Sequence, residues 1–205
     1  MIEAVIFDFG GVISMPQKEE LLYPWAEERT GLDKAAFWKG YKLFRHDFDA
    51  GLCSGDEMYR RILEHYGKPY TEALLSGLTA RDLESWTIPN PETLVWEKAL
   101  KVQGFKTGIL TNMPTEFIPK FDACAHEFRQ LVDAEVVSAE VKLAKPDPEI
   151  YALMLHRLGD IPPENAIFFD DLQPNIDGAR AVGLHAERFT GVAAAKAALE
   201  ALVRG

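Results

Sequence analysis

The chain has 205 residues, 47% hydrophobic and 26% charged, with a formal net charge of −10. It can bury one large core, or one core plus a smaller insertion. The acidic balance argues against a nucleic-acid partner, no apolar run approaches the length of a membrane span, and a phosphate-bearing substrate would need local cations of its own.

From the amino terminus, Ala4-Val5-Ile6-Phe7 runs straight into Asp8, and Gly10-Gly11 follow. A continuous apolar run of this kind predicts a buried strand of a parallel sheet, with Asp8 at its carboxyl end. The glycines permit a sharp turn whose backbone N–H groups approach a ligand. From Ser14 to about Trp86 the pattern becomes helical. Leu21 to Arg29, Asp33 to Phe44 and Asp56 to Tyr66 read as amphipathic helices, the last with a Ser54/Glu57 capping box. No buried strand is evident there, so residues 15–87 are expected to form an all-helical insertion of three or four helices.

Pro89-Asn90-Pro91 marks a boundary. Beyond it strands and helices alternate. Helices are expected over Glu92–Val102, Thr115 to about Phe121, Asp147–Leu158, Asn175–Val182 and Ala193–Val203. Strands are expected over Lys106–Leu110, within Leu131–Val137, over Ala166–Phe169 and over Leu184–Phe189. The fold class is α/β, a doubly wound parallel sheet built from residues 1–14 and 88–205. Cys53 and Cys124 have no metal-site spacing and the amino terminus shows no leader pattern, so the expected location is cytoplasmic.

Three buried strands end in polar residues: Asp8, Thr111-Asn112 and Asp170-Asp171. A parallel sheet brings such ends to one edge. Lys145-Pro146-Asp147-Pro148 places a cation just ahead of a helix. Each part also has a plain reading: Thr111-Asn112 as a turn, Lys145 to Pro148 as a helix start, the paired aspartates as a cap. Together they supply a nucleophile, a hydroxyl, a cation and two more carboxylates, which suits phosphoryl transfer. An oxygen-only ligand set favours Mg²⁺.

In this order, Phe7-Asp8-Phe9-Gly10-Gly11-Val12, Leu110-Thr111-Asn112, Lys145-Pro146-Asp147-Pro148-Glu149-Ile150-Tyr151 and Phe168-Phe169-Asp170-Asp171, with Asn175 and Gly178-Ala179-Arg180 following, resemble the haloacid dehalogenase superfamily. The likeness covers nearly the whole chain. It implies a Rossmann-like core with a helical C1-type cap, and extends to that superfamily's bacterial sugar-1-phosphatases. It further implies that Asp8 is the nucleophile and forms an aspartyl-phosphate. Thr111, Asn112, Gly10 and Gly11 would hold the phosphoryl group and Lys145 would neutralise it. Mg²⁺ would be bound by Asp8, the Gly10 carbonyl and Asp171, with Asp170 acting directly or through water. The substrate would be a small phosphorylated metabolite, with a sugar phosphate favoured.

One position departs from the pattern. Most phosphatases of the superfamily carry a second Asp, the general acid and base, where Gly10 stands. A sugar 1-phosphate tolerates that loss better because its anomeric oxygen leaves more easily. By residue type, His46, Asp47 and Glu19 are candidate replacements on the cap. If acid–base help is what is missing, Gly10→Asp is expected to speed hydrolysis of alkyl phosphates. Two other readings stay open: a 2-haloacid dehalogenase using Asp8, and a weakly active metal- or phosphate-binding protein. Trp25, Lys42, Arg45 and Trp86 line the pocket or pack the helices, with packing the expectation for both tryptophans. Oligomeric state is open, between monomer and homodimer.

Overall fold

The computed structural model describes residues 1–204. Five parallel strands form one sheet: β1 (Ala4–Phe7), β2 (Lys106–Thr111), β3 (Ala134–Val137), β4 (Ala166–Asp170) and β5 (His185–Arg188), in the order β3-β2-β1-β4-β5. Four α-helices follow β1 before Pro89: α1 (Tyr23–Thr30), α2 (Lys34–Asp49), α3 (Gly55–His65) and α4 (Glu72–Glu84). After them come α5 (Pro91–Val102), α6 (Ile118–Cys124), α7 (His126–Arg129), α8 (Ser138–Val141), α9 (Pro148–Arg157), α10 (Gln173–Ala181) and α11 (Val192–Arg204).

The central strand explains the layering. All four residues of β1 are buried, so both of its faces must be covered. Val5 and Phe7 point into one apolar cluster with residues of α5, α7 and α11, whereas Ala4 and Ile6 point into a second with α9 and α10. On the first face the Phe7 ring meets the edges of Trp96 at 5.3 Å and Phe128 at 5.6 Å. Such pairs contribute roughly 0.5–1.5 kcal/mol each beyond their burial.

Register decides where the chemistry sits. Phe7 lies level with Ile109 on one side and Phe169 on the other. Asp8, Thr111 and Asp170 therefore emerge along one edge of the sheet, at β1, where the winding reverses direction. The chain leaves and re-enters the sheet side by side: Ser14 bridges antiparallel to Pro89, and Met15 N–H donates to the Ile88 carbonyl at 2.7 Å.

The helices follow their expected positions with one difference that matters. Helix α2 continues past Phe44 to Asp49. Phe37, Tyr41 and Phe48 form one buried face at i, i+4 and i+11, so packing carries the helix through the polar run Arg45-His46-Asp47. Asp33 caps its start by accepting from Ala36 N–H at 2.8 Å.

Candidate active site

After β1 the backbone of Gly10 (φ −64°, ψ 121°) and Gly11 (φ 69°, ψ 2°) makes a type II turn. Only the second glycine is demanded by the backbone. Gly11 has positive φ, and a Cβ there would also stand 3.1 Å from Asp171 Oδ2. Gly10 has dihedrals open to any residue. A Cβ at Gly10 would instead lie 3.3 Å from the Trp86 ring. Trp86, just past the end of α4, would have to give by a few tenths of an ångström to admit a side chain at position 10.

Lys145 lies in the loop between α8 and α9, and its ammonium is fully buried. It donates to Asp170 Oδ2 at 2.6 Å and the Leu110 carbonyl at 2.9 Å, and sits 2.9 Å from Asp8 Oδ1. Asn112 holds the loop itself. Its Oδ1 accepts from Lys145 N–H and its Nδ2 donates to the Lys145 carbonyl, both at 2.8 Å. Asn112 lines the cavity, but its amide is first of all a clamp on Lys145. Gly11 N–H, expected to face a phosphate, donates to Ser14 Oγ at 3.2 Å within the turn.

Asp170 is wholly buried and saturated with donors. Oδ1 accepts from Leu172 N–H at 2.8 Å, Oδ2 from Lys145, and the Asn175 amide reaches both oxygens at 3.1 and 2.9 Å. Asp8, Asp170 and Asp171 bring one carboxylate oxygen each within 4.8 Å of one another. Three carboxylates thus face one ammonium. Burial is the main reason Asp8 is pushed up to about 7, with Asp170 and Asp171 adding repulsion against the pull of Lys145. Burial, then Asp170, push Asp171 up to about 6. Burial alone would lower Lys145, but Asp170 and Asp8 outweigh it and hold the ammonium charged. This excess of negative charge, presented by oxygen donors only, fits a hard divalent cation.

A cavity of about 570 Å³ opens above this cluster, between the sheet edge and the inserted helices. Asp8, Gly10, Thr111, Asn112, Lys145 and Asp171 line its floor. Of the inserted residues singled out from sequence, Lys42, Arg45, His46, Glu19 and Trp86 line it too. Trp86 packs against the core as expected and is also a cavity wall. Trp25 packs against the core too, with the Arg29 and Arg81 guanidinium carbons 4.4 and 4.6 Å from its ring centroid. Asp47 pairs with Arg61 at 2.9 Å and is not among the lining residues. Sequence reading missed Gln17, Trp38, Tyr41, Asp49 and Asp82. Trp38, Lys42, Arg45 and Asp49 recur at i, i+4, i+7 and i+11 of α2, a periodic polar and aromatic stripe that was a readable signal.

The Gly10–Trp86 contact changes what substitution there should do. Gly10→Asp is expected to destabilise the fold by about 1–3 kcal/mol through overpacking rather than to speed catalysis. Trp86→Ala in the same chain should remove most of that cost, read as non-additivity in a urea-unfolding double-mutant cycle. An additive cycle would mean that the ring does not oppose the new side chain.

A haloacid dehalogenase-like hydrolase family model matches residues 2–183. A phosphorylated carbohydrates phosphatase of Thermotoga maritima is 30% identical over 172 residues, covering 66% of this chain and 76% of that protein. The mouse bifunctional epoxide hydrolase 2 is 31% identical over 89% of this chain, which spans only 35% of that longer protein. In three dimensions, a family enzyme of Bacteroides thetaiotaomicron solved with magnesium and inorganic phosphate superposes with a TM-score of 0.68 at 19% identity, over 92% of this chain and 94% of that one. The match over most of the chain, the shared fold and the convergence of Asp8, Lys145, Asp170 and Asp171 agree: the chain belongs to the haloacid dehalogenase-like hydrolase family.

Proposed function

We propose that the chain is a Mg²⁺-dependent phosphomonoesterase for a small phosphorylated metabolite, a sugar phosphate in particular. The observation that carries this is Asp8, held against Lys145 at 2.9 Å beneath the cavity and beside the Asp170-Asp171 pair. Asp8 is the nucleophile: one carboxylate oxygen attacks phosphorus in line and the alcohol leaves, giving an aspartyl-phosphate that water then hydrolyses. Lys145 stays protonated throughout and faces the phosphoryl oxygens, with Thr111 beside it. Asn112 keeps Lys145 in register, and Asp170 orients the ammonium from below. Asp8, the Gly10 carbonyl and Asp171 would hold the cation, with Asp170 behind them through water. When bound, Mg²⁺ would supply charge neutralisation between the phosphate and the carboxylates.

The inserted helices, residues 15–87, act as a cap over the leaving group. Trp38 and Trp86 offer aromatic surface and Lys42 offers a donor, a mixture suited to a polyhydroxylated leaving group. The similarity to a phosphatase of phosphorylated carbohydrates supports the same class. Cys53 and Cys124 are free thiols, which suits the cytoplasm. Among the described residues, no helix is long and apolar enough to cross a membrane.

Phosphate release across a panel of sugar phosphates, with Mg²⁺ and with chelator, tests this reading. Turnover is expected with Mg²⁺ and loss of turnover with chelator. Chloride release from 2-haloacids that persists in chelator would move the assignment to a dehalogenase. Cation binding without any turnover would leave a binding protein.

Cation binding should also show in stability. Asp8 and Asp171, near 3.8 in ordinary surroundings, are held up at about 7 and about 6 in the fold. Between those limits the folded, cation-free chain keeps protons that the unfolded chain has lost, so its stability falls as pH rises from about 4 to about 7. Added Mg²⁺ is expected to raise Tm little near pH 5 and by roughly 4 °C or more near pH 8. A gain independent of pH would mean that the cation binds elsewhere.

A further inference from the structure

The phosphomonoesterase reading leaves one chemical role unfilled. An alkoxide is a poor leaving group, and position 10, where the family places its acid, holds glycine under the Trp86 ring. The proton must come from elsewhere in the cavity. We propose that Asp49, on the last turn of α2, is the general acid and base of this reaction, working from the helical side of the cavity; this rests on the phosphomonoesterase reading.

Apart from Asp8 and Asp171, six other lining groups carry or could carry a proton, and their surroundings separate them from Asp49. Lys42, the first, is exposed, with its ammonium over the Trp38 ring at 5.1 Å. Glu19 is exposed and paired with Lys34. His46 is half exposed at the rim, 3.8 Å from Asp47 and 3.7 Å from Asp147. Tyr41 already donates its hydroxyl to Asp82. Asp82 is surrounded by donors: Gln17 at 3.2 Å, Tyr41 at 3.0 and 3.1 Å, Trp86 at 3.4 Å and, more distantly, Arg45 at 3.9 Å. Both of its oxygens are thus occupied by donors, and neither is left to meet a leaving group. Lys145 is committed to Asp8, Asp170 and Leu110.

Asp49 differs from all of them. Its side chain is nine-tenths buried, at 10% exposure. Oδ1 accepts from Arg45 Nε at 2.7 Å, while Oδ2 accepts from nothing among the described residues and belongs to the cavity wall. Two buried carboxyl groups, Asp49 and Asp82, share the single guanidinium of Arg45. Of the two, only Asp49 keeps an oxygen free of donors, so a proton on Oδ2 would face the cavity. Burial raises both carboxyl groups, and Arg45 opposes it in each case. The charged groups facing Asp49 are Arg45 from its own helix, Asp82 from α4 and Lys145 from the loop before α9.

The backbone fixes this carboxyl relative to the sheet. Ser138 Oγ, at the end of β3, donates to the Asp49 carbonyl and accepts from Met113 N–H at 2.8 Å. Lys142 Nζ donates to the Gly51 carbonyl at 2.8 Å. Asp49 is thus anchored to the same sheet edge that carries Asp8, although it belongs to the inserted helices.

The step balances as follows. As Asp8 forms its bond to phosphorus, the phosphorus–oxygen bond to the leaving group breaks. The leaving oxygen keeps the electron pair and takes the proton of Asp49. In the second half, water attacks phosphorus while the bond to Asp8 breaks. The Asp49 carboxylate takes the proton of that water and is ready again.

The test compares Asp49→Asn with wild type on two esters: p-nitrophenyl phosphate, whose leaving group needs no proton, and a sugar or alkyl phosphate, whose leaving group does. In single turnover, Asp49→Asn is expected to slow release of the sugar or alkyl leaving group by about 10²–10⁴-fold and the burst of p-nitrophenolate by less than about tenfold, while steady-state turnover falls on both esters because hydrolysis of the aspartyl-phosphate uses the same carboxylate. Asp49→Glu should recover part of the loss, and the basic limb of the wild-type pH profile on the alkyl ester should vanish in Asp49→Asn. Equal losses in leaving-group release on both esters, or no loss at all, would overturn the assignment. If Asp49→Asn does not fold, wild-type rates across esters of graded leaving-group acidity decide: a shallow dependence supports a proton donor and a steep one overturns it. A wild-type chain inactive on both esters overturns the phosphatase reading itself, whereas active wild type with undiminished Asp49→Asn overturns only the role of Asp49.

Discussion

Asp8→Asn is expected to abolish phosphate release, lowering kcat by roughly 10⁴-fold or more, because an amide cannot replace the attacking carboxylate oxygen. The same change should make the cation-free chain more stable. Asp8 is buried, faces Asp170 and Asp171, and is held at about 7. Asn keeps the volume and an acceptor for Lys145 but removes one of three mutually repelling charges. The folded pKa of Asp8 is raised, so wild type loses stability as pH climbs from about 4 to about 7 and the variant escapes that share of the loss. The gain should be small near pH 4 and about 0.5–2 kcal/mol near pH 8, measured by urea unfolding in chelator. Activity lost together with stability would mean that Asp8 serves the fold. Turnover comparable to wild type would exclude it as nucleophile.

That trade between charge and stability was partly legible in the sequence. Ala4–Phe7 and Ala166–Phe169 are apolar without alternation, and each of their residues is buried on one face or the other of the sheet. Runs of that kind leave little choice but a central parallel strand, which fixes the edge where Asp8, Thr111 and Asp170 meet. The need for glycine at Gly11 was also local, since a positive φ there follows from the turn. The reason for Gly10 was not local. It lies in Trp86, far along the chain and brought back by the helical insertion. Asp49 was hidden differently. Helix α2 has two occupied faces, one packed through Phe37, Tyr41 and Phe48 and one lining the cavity. A search for a single apolar stripe ends such a helix at its first polar cluster, which here is Arg45-His46-Asp47.

Lys145→Met should cost both activity and stability. The methionine matches the length of the lysine stem and fills the space over the Phe168 ring, where Nζ now lies 5.1 Å from the ring centroid. What disappears is the ammonium and its contacts to Asp8, Asp170 and the Leu110 carbonyl. Three carboxylates are then left within 4.8 Å of one another without a counter-charge. Removing one partner from a buried ion pair costs about 3–5 kcal/mol, most of it the burden of the stranded charge. The phosphoryl group also loses its fixed cation, so kcat should fall by about 10²–10³-fold even where the chain folds. Without Lys145 the folded carboxyl groups hold protons still more tightly, so the stability deficit relative to wild type should widen as pH rises from about 5 to about 8. Asp170→Asn in the same chain removes the other half of its closest pair and should recover much of the stability but none of the activity. Recovery of both would show that the ammonium serves only to hold Asp170. A deficit unchanged by pH or by Asp170→Asn would show that Lys145 contributes packing rather than charge.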